Sequence, residues 1–154
     1  MAANPGEMTD PKKVRQLLAN AERLNAAELA TACRRRLYEL GGAEFDDPVE
    51  RRLAQAVAAL EEAYRKKHGR AQVAGYTRRK IASAGAVATL SDWALKSDVT
   101  PGFLALVESG LAEFTGEYVV AEFPNRFDPH VVAAARKRLE QHGVELPPDL
   151  PHGQ

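Results

Sequence analysis

The chain has a single cysteine, Cys33, so no disulfide can close within it, and a stapled extracellular scaffold is excluded. Aromatic residues make up only 6% of the 154 residues, which argues against an aromatic-rich β-sandwich. No window approaches the ~20 uninterrupted apolar residues of a membrane-crossing helix, and no membrane association is expected. The opening "MAANPGEMTDPKK" has no apolar run behind a charged start, so no signal peptide is read there and a cytoplasmic location is expected. Internal repeats and low-complexity segments are also missing.

Chemistry is equally scarce. None of the four histidines, His68, His130, His142 and His152, is spaced i, i+4 from another, and Cys33 has no neighbouring ligand, so no metal site is expected. His68 and His142 each precede a glycine at a predicted helix end, where imidazole meets free carbonyls. The glycines of "GGAEF" and "SAGAV" match neither a P-loop nor a dinucleotide fingerprint, and no cofactor is expected. There is no G-x-S-x-G and no supported Ser/His/Asp set. Cys33 at a helical core position reads as a small buried hydrophobe. The acids Glu44, Asp46, Asp47 and Glu50 suit the positive end of a helix dipole. No residue set argues for an enzyme.

What is present is a globular, Ala-rich composition, 45% hydrophobic and 27% charged, with legible helix punctuation. Asp10-Pro11, Asp47-Pro48, Thr100-Pro101 and Asp128-Pro129 each place a capping oxygen before a proline. Asn25 with Glu28 reads as a variant capping box. Gly41-Gly42, Gly69, Gly110 and Gly143 suit helix ends. Val14, Leu17, Leu18, Ala21 and Leu24 line one helix; Leu29, Cys33, Leu37 and Leu40 line a second. Val49, Leu53, Val57, Leu60 and Tyr64 stripe a longer third.

Residues 1–9 are then expected as a flexible tail and 10–70 as a helical bundle built from a hairpin and the long third helix. Residues 71–144 form a compact C-terminal helical part, and 145–154 a Pro-rich tail. Thr77–Ala84, Val87–Leu95 and "PGFLALVESG" read as short helices. "EYVVAEF", Glu117–Phe123, reads as a strand bounded by Gly116 and Pro124, paired with Leu111–Thr115 in a short β-hairpin or with a second copy of the chain. The fold class expected is mainly α, α+β at most. Trp93 is expected to pack with Phe103, Leu106, Leu111 and Tyr118.

The charges cancel overall, 21 bases against 21 acids, but they are segregated. Arg65, Lys66, Lys67, Arg70, Arg78, Arg79 and Lys80 place seven bases and no acid within sixteen residues. From Ile81 to Arg126, six acids face only Lys96 and Arg126. Cations suit the end of the third helix, but Arg78, Arg79 and Lys80 open the next one, the unfavourable end for positive charge. With Tyr76 to stack and Thr77 as an expected cap, they read as a phosphate-contacting unit. "TRRKIASAGAVATLSDWAL" resembles a helix-turn-helix in outline, although Ser83, Thr89, Ser91 and Asp92 supply no Arg, Asn or Gln for base edges.

The function expected is therefore binding of DNA or RNA with low sequence specificity, of bacterial regulatory type. The alternative is a non-catalytic interaction module that takes an acidic protein partner or self-associates as a homodimer. If about five of the seven bases reached phosphates, log K against log[salt] would slope near −4 to −5 on duplex DNA.

Overall fold

The computed structural model describes residues 4–69 and 74–148, without the side chains of Tyr64, Lys67 and His68. The described chain is mainly α-helical: α1 (Pro11–Arg23), α2 (Ala27–Leu40), α3 (Pro48–His68), α4 (Gly75–Ala84), α5 (Ala86–Leu95), α6 (Pro101–Glu108), α7 (Gly116–Glu122) and α8 (Pro129–Gln141). None of the described helices is long and apolar enough to cross a membrane.

Local chemistry accounts for most of the boundaries. Asp10, Asp47 and Thr100 each accept a backbone N–H of the helix they open, from Lys12, Glu50 and Phe103, with a proline at the next position. Asp128 takes the same N-cap place before Pro129 without a side-chain bond. At Asn25 the expected capping box is absent. Ala26 is the N-cap of α2, and Asn25 instead adopts a left-handed φ of 57° in the turn.

α1 and α2 form the expected hairpin, burying Val14, Leu18, Ala21, Ala30, Cys33, Leu37 and Tyr38 against Ala59 of α3, Leu111 and Phe114. Met8 joins the edge of that core. Within residues 4–9 of the expected tail, Pro5–Glu7 makes a 3-10 turn with Pro5 buried. Arg36 Nε donates to the Met8 carbonyl at 2.7 Å. Another face of α3, carrying Val49, Leu53 and Val57, packs on Leu90 and Ala94 of α5, Val119 and Val120 of α7, and Val131 and Ala135 of α8. α3 is therefore a wall shared by the N-terminal and C-terminal halves. In the expected C-terminal tail, Leu146 packs with Val144 beside Phe103 and Leu139.

The expected β-hairpin is corrected. Among the described residues there is no strand: Gly116–Glu122 is helix α7, and Ala112–Phe114 is a 3-10 turn. Thr115 caps α7, its Oγ1 accepting the Tyr118 N–H at 3.2 Å. The misleading signal was continuous hydrophobicity. Val119 and Val120 are fully enclosed, and Gly116, Glu117 and Ala121 are also buried. A helix covered on most sides shows no 3.6-residue alternation, so its sequence looks like a buried strand. A helix also pairs its own backbone groups, which a lone strand cannot do.

Candidate binding face around helix α4

The basic segment spans the end of α3 and the whole first half of α4. Lys67's side chain and Arg70 lie outside the described residues. Of the described bases, three are bonded to carboxylates of the same chain. Arg65 Nε sits 3.0 Å from both oxygens of Glu62, one turn earlier on α3. Arg78 clasps Glu61 with two bonds, Nε to Oε2 at 2.7 Å and Nη2 to Oε1 at 2.6 Å. Lys80 is bonded to Asp92 of α5.

These partners raise the pKa of each base. Hydrogen bonding to Glu62 does so for Arg65, to Glu61 for Arg78, and to Asp92 for Lys80. The reciprocal effect at Glu61 is a balance. Burial pushes its carboxyl up, but the bonds from Arg78 and from the Ala74 N–H outweigh it, and its pKa lies below the usual range.

Glu61 explains the charges that look misplaced in the sequence. Ala74 at the N-cap of α4 offers no side-chain bond, so the helix starts without a local cap. Glu61 reaches across from α3 and accepts the Ala74 N–H at 2.8 Å, which supplies an anion at the positive end of α4. Thr77 is accordingly the third residue inside α4 rather than its cap, since the helix begins at Gly75.

Lys66 and Arg79 remain, both exposed and without a carboxylate partner among the described residues. Tyr76 is 74% exposed, one helical turn from Arg79 on the outer face of α4. Arg79 folds back so that its guanidinium lies beside Gly75.

The helix-turn-helix outline is present only as two consecutive helices. A single residue, Gly85 with φ 91°, joins α4 to α5. α5, which would have to read a groove, is embedded: Thr89, Leu90 and Ala94 are buried against α3, α7 and α8. Its exposed positions include Ala88, Asp92 and Leu95, none of which donates to a base edge.

Beside α4 lies a cavity of ≈ 620 Å³ that sequence reasoning missed. Its floor is small side chains of α3, Ala56, Ala59 and Ala63; its walls include Leu60, Trp93 and Phe103, with Tyr76 and Thr77 at the rim. Trp93 packs with the α3, α5, α7 and α8 core rather than with Phe103, Leu106, Leu111 and Tyr118 as expected. No local pattern reports such a cavity, because it is made by small residues from elements far apart in sequence.

No cluster of metal-ligating side chains occurs among the described residues. Cys33 is fully buried, and that burial pushes its thiol above the ordinary pKa, the opposite of nucleophile activation. Comparisons with protein-family models, with curated proteins and with solved structures returned no match.

Proposed function

We propose that this chain is a non-catalytic interaction module that docks an acidic protein partner on the outer face of α4. The observation that carries this reading is the pair Tyr76 and Arg79, exposed one turn apart and without a carboxylate partner among the described residues, while Arg65, Arg78 and Lys80 are engaged within the chain. Tyrosine and arginine are the residue types that concentrate binding energy at protein interfaces. The exposed Arg79 guanidinium, which lies beside Gly75 at the helix start, is a fork suited to a carboxylate. Lys66 adds a second exposed cation near the end of α3.

The nucleic-acid reading ranks second and rests on the same two cations. A phosphate backbone rewards the number of bases that reach it, and the three spent on Glu61, Glu62 and Asp92 would have to break those bonds first. The test is a parallel titration at physiological salt of a labelled peptide alternating Glu and Leu and a labelled duplex DNA. The expected result is peptide binding that is lost in the double variant Tyr76→Ala/Arg79→Ala. Duplex DNA bound more tightly than the peptide, and weakened by Lys66→Ala/Arg79→Ala, would reverse the order of the two readings.

A further inference from the structure

A second compartment of ≈ 300 Å³ lies next to the cavity beside α4. The two share Ala59, Ala63, Gly102, Ala105 and Leu106, so they adjoin along α3 and α6, and the larger is the α3–α6 slot. Small residues line both facing helices, which keeps the helices' side chains from closing the space. The larger compartment lies within the ~300–1,000 Å³ range of small-molecule sites.

The charged groups on the walls are unevenly committed. In the larger compartment Glu117 is spent on Arg138, whose Nη1 donates to Oε2 at 2.9 Å and to the Trp93 carbonyl at 3.3 Å. In the smaller one Glu62 is spent on Arg65, with Arg15 at 3.6 Å, and Arg34 is bonded to Glu22 at 2.9 Å. What remains uncommitted at the two ends is cationic: the exposed Lys96 and the exposed Lys66. Among the described lining residues, neither compartment offers a carboxylate without an arginine partner.

We propose that the α3–α6 slot binds a small apolar anion, its hydrocarbon or aromatic body on Leu60, Phe103 and Trp93 and its carboxylate at Lys96. The apolar walls supply affinity by releasing water from hydrocarbon. The lysine selects the sign of the head group. The docking face on α4 shares only Tyr76, at the rim, with this site, and the test leaves Tyr76 and Arg79 unchanged.

Trp93 is the single tryptophan of the chain and part of the slot wall, so its emission reports occupancy directly. Dodecanoate, kept below its micelle concentration, is titrated against dodecanol and dodecyltrimethylammonium. The expected result is a saturable change with dodecanoate, binding about tenfold tighter than the alcohol and tighter still than the cation, since one charge-assisted bond separates them. Lys96→Ala brings dodecanoate down to the level of the alcohol. Ala63→Leu, which enlarges a side chain lining both compartments, weakens all three. Circular dichroism of each ligand-free variant checks that the fold is retained, and the three-ligand comparison needs no variant at all. Absence of a saturable change with any of the three overturns the site. Equal affinity for acid, alcohol and ammonium, or an unchanged dodecanoate affinity in Lys96→Ala, overturns the assignment to an anion.

Discussion

Glu61 and Arg78, seventeen residues apart in the chain, are joined by two hydrogen bonds of 2.6 and 2.7 Å, and the same carboxylate holds the N–H of Ala74, the N-cap of α4. One acid thus does two jobs: it ties α4 to α3 and caps a helix whose own sequence provides no cap. The arrangement makes Arg78, one of three cations read as a phosphate-contacting unit, a structural strut.

The linkage has a pH signature. The pKa of Glu61 is depressed in the folded state, because the bonds from Arg78 and Ala74 outweigh its burial. Its contribution is therefore fully present above the ordinary glutamate value of ~4.3 and is lost as pH falls through the lower folded-state value. Glu61→Gln is expected to cost about 1–2 kcal/mol at pH 7, the sum of a capping bond and a partly exposed ion pair. Urea unfolding across pH checks it: the gap between the wild type and Glu61→Gln should narrow below pH ~4. A gap that stays constant down to full protonation contradicts the assignment.

Glu117 and Arg138 form a deeper pair, with side chains only 9% and 12% exposed. Arg138 also donates to the carbonyls of Trp93 and Lys96, which fastens α8 to the end of α5. Arg138→Met leaves a buried carboxylate without a partner and is expected to cost about 3–5 kcal/mol. For a chain of this size that lowers Tm by about 6–20 °C. The double variant Glu117→Gln/Arg138→Met removes the orphaned charge and should recover a large part of the loss. Calorimetry of the two variants separates the ion pair from its packing, and equal melting temperatures would show that packing alone matters.

Gly116 starts α7 directly under the indole of Trp93. A Cβ at that position would stand 2.5 Å from Trp93 Cε3, closer than real carbon contacts allow. Gly116→Ala is expected to destabilise by about 1–3 kcal/mol and to alter Trp93 emission in the folded state. Gly102→Ala is the control, since a Cβ there would meet Leu60 Cδ1 at an ordinary 3.7 Å. It should leave the emission maximum unchanged.

Which features were legible follows from how local their causes are. Asp10, Asp47, Thr100 and Asp128 announce helix starts because capping chemistry acts within three residues, and all four open helices. The apolar stripes of α1, α2 and α3 appear in the sequence because each of these helices keeps a solvated face. α7 has almost none, so Val119 and Val120 carried a strand-like signal into a helix. Glu61, Glu62 and Asp92 neutralise Arg78, Arg65 and Lys80, but two of those pairs form between different helices and leave no mark at the level of local charge counting. The slot is harder still to see, because Ala59 and Gly102 read as ordinary helix residues until α3 and α6 face each other.

Tyr76 and Arg79 should be dispensable to the fold in a way that Arg78 is not. Tyr76 is 74% exposed, and neither it nor Arg79 bonds a carboxylate among the described residues, whereas Arg78 and Glu61 link α4 to α3. Substitutions that touch no buried group, cap or network normally stay within about 0.5 kcal/mol of the parent. Tyr76→Ala/Arg79→Ala is accordingly expected to unfold at the same urea midpoint as the wild type, while Arg78→Ala shifts the midpoint downward. The comparison bears on function, because residues that stabilise nothing in the free chain and still keep a ring and a guanidinium exposed are free to serve a partner. A large stability loss in the double variant would instead make that face part of the scaffold, and the docking role would have to move elsewhere.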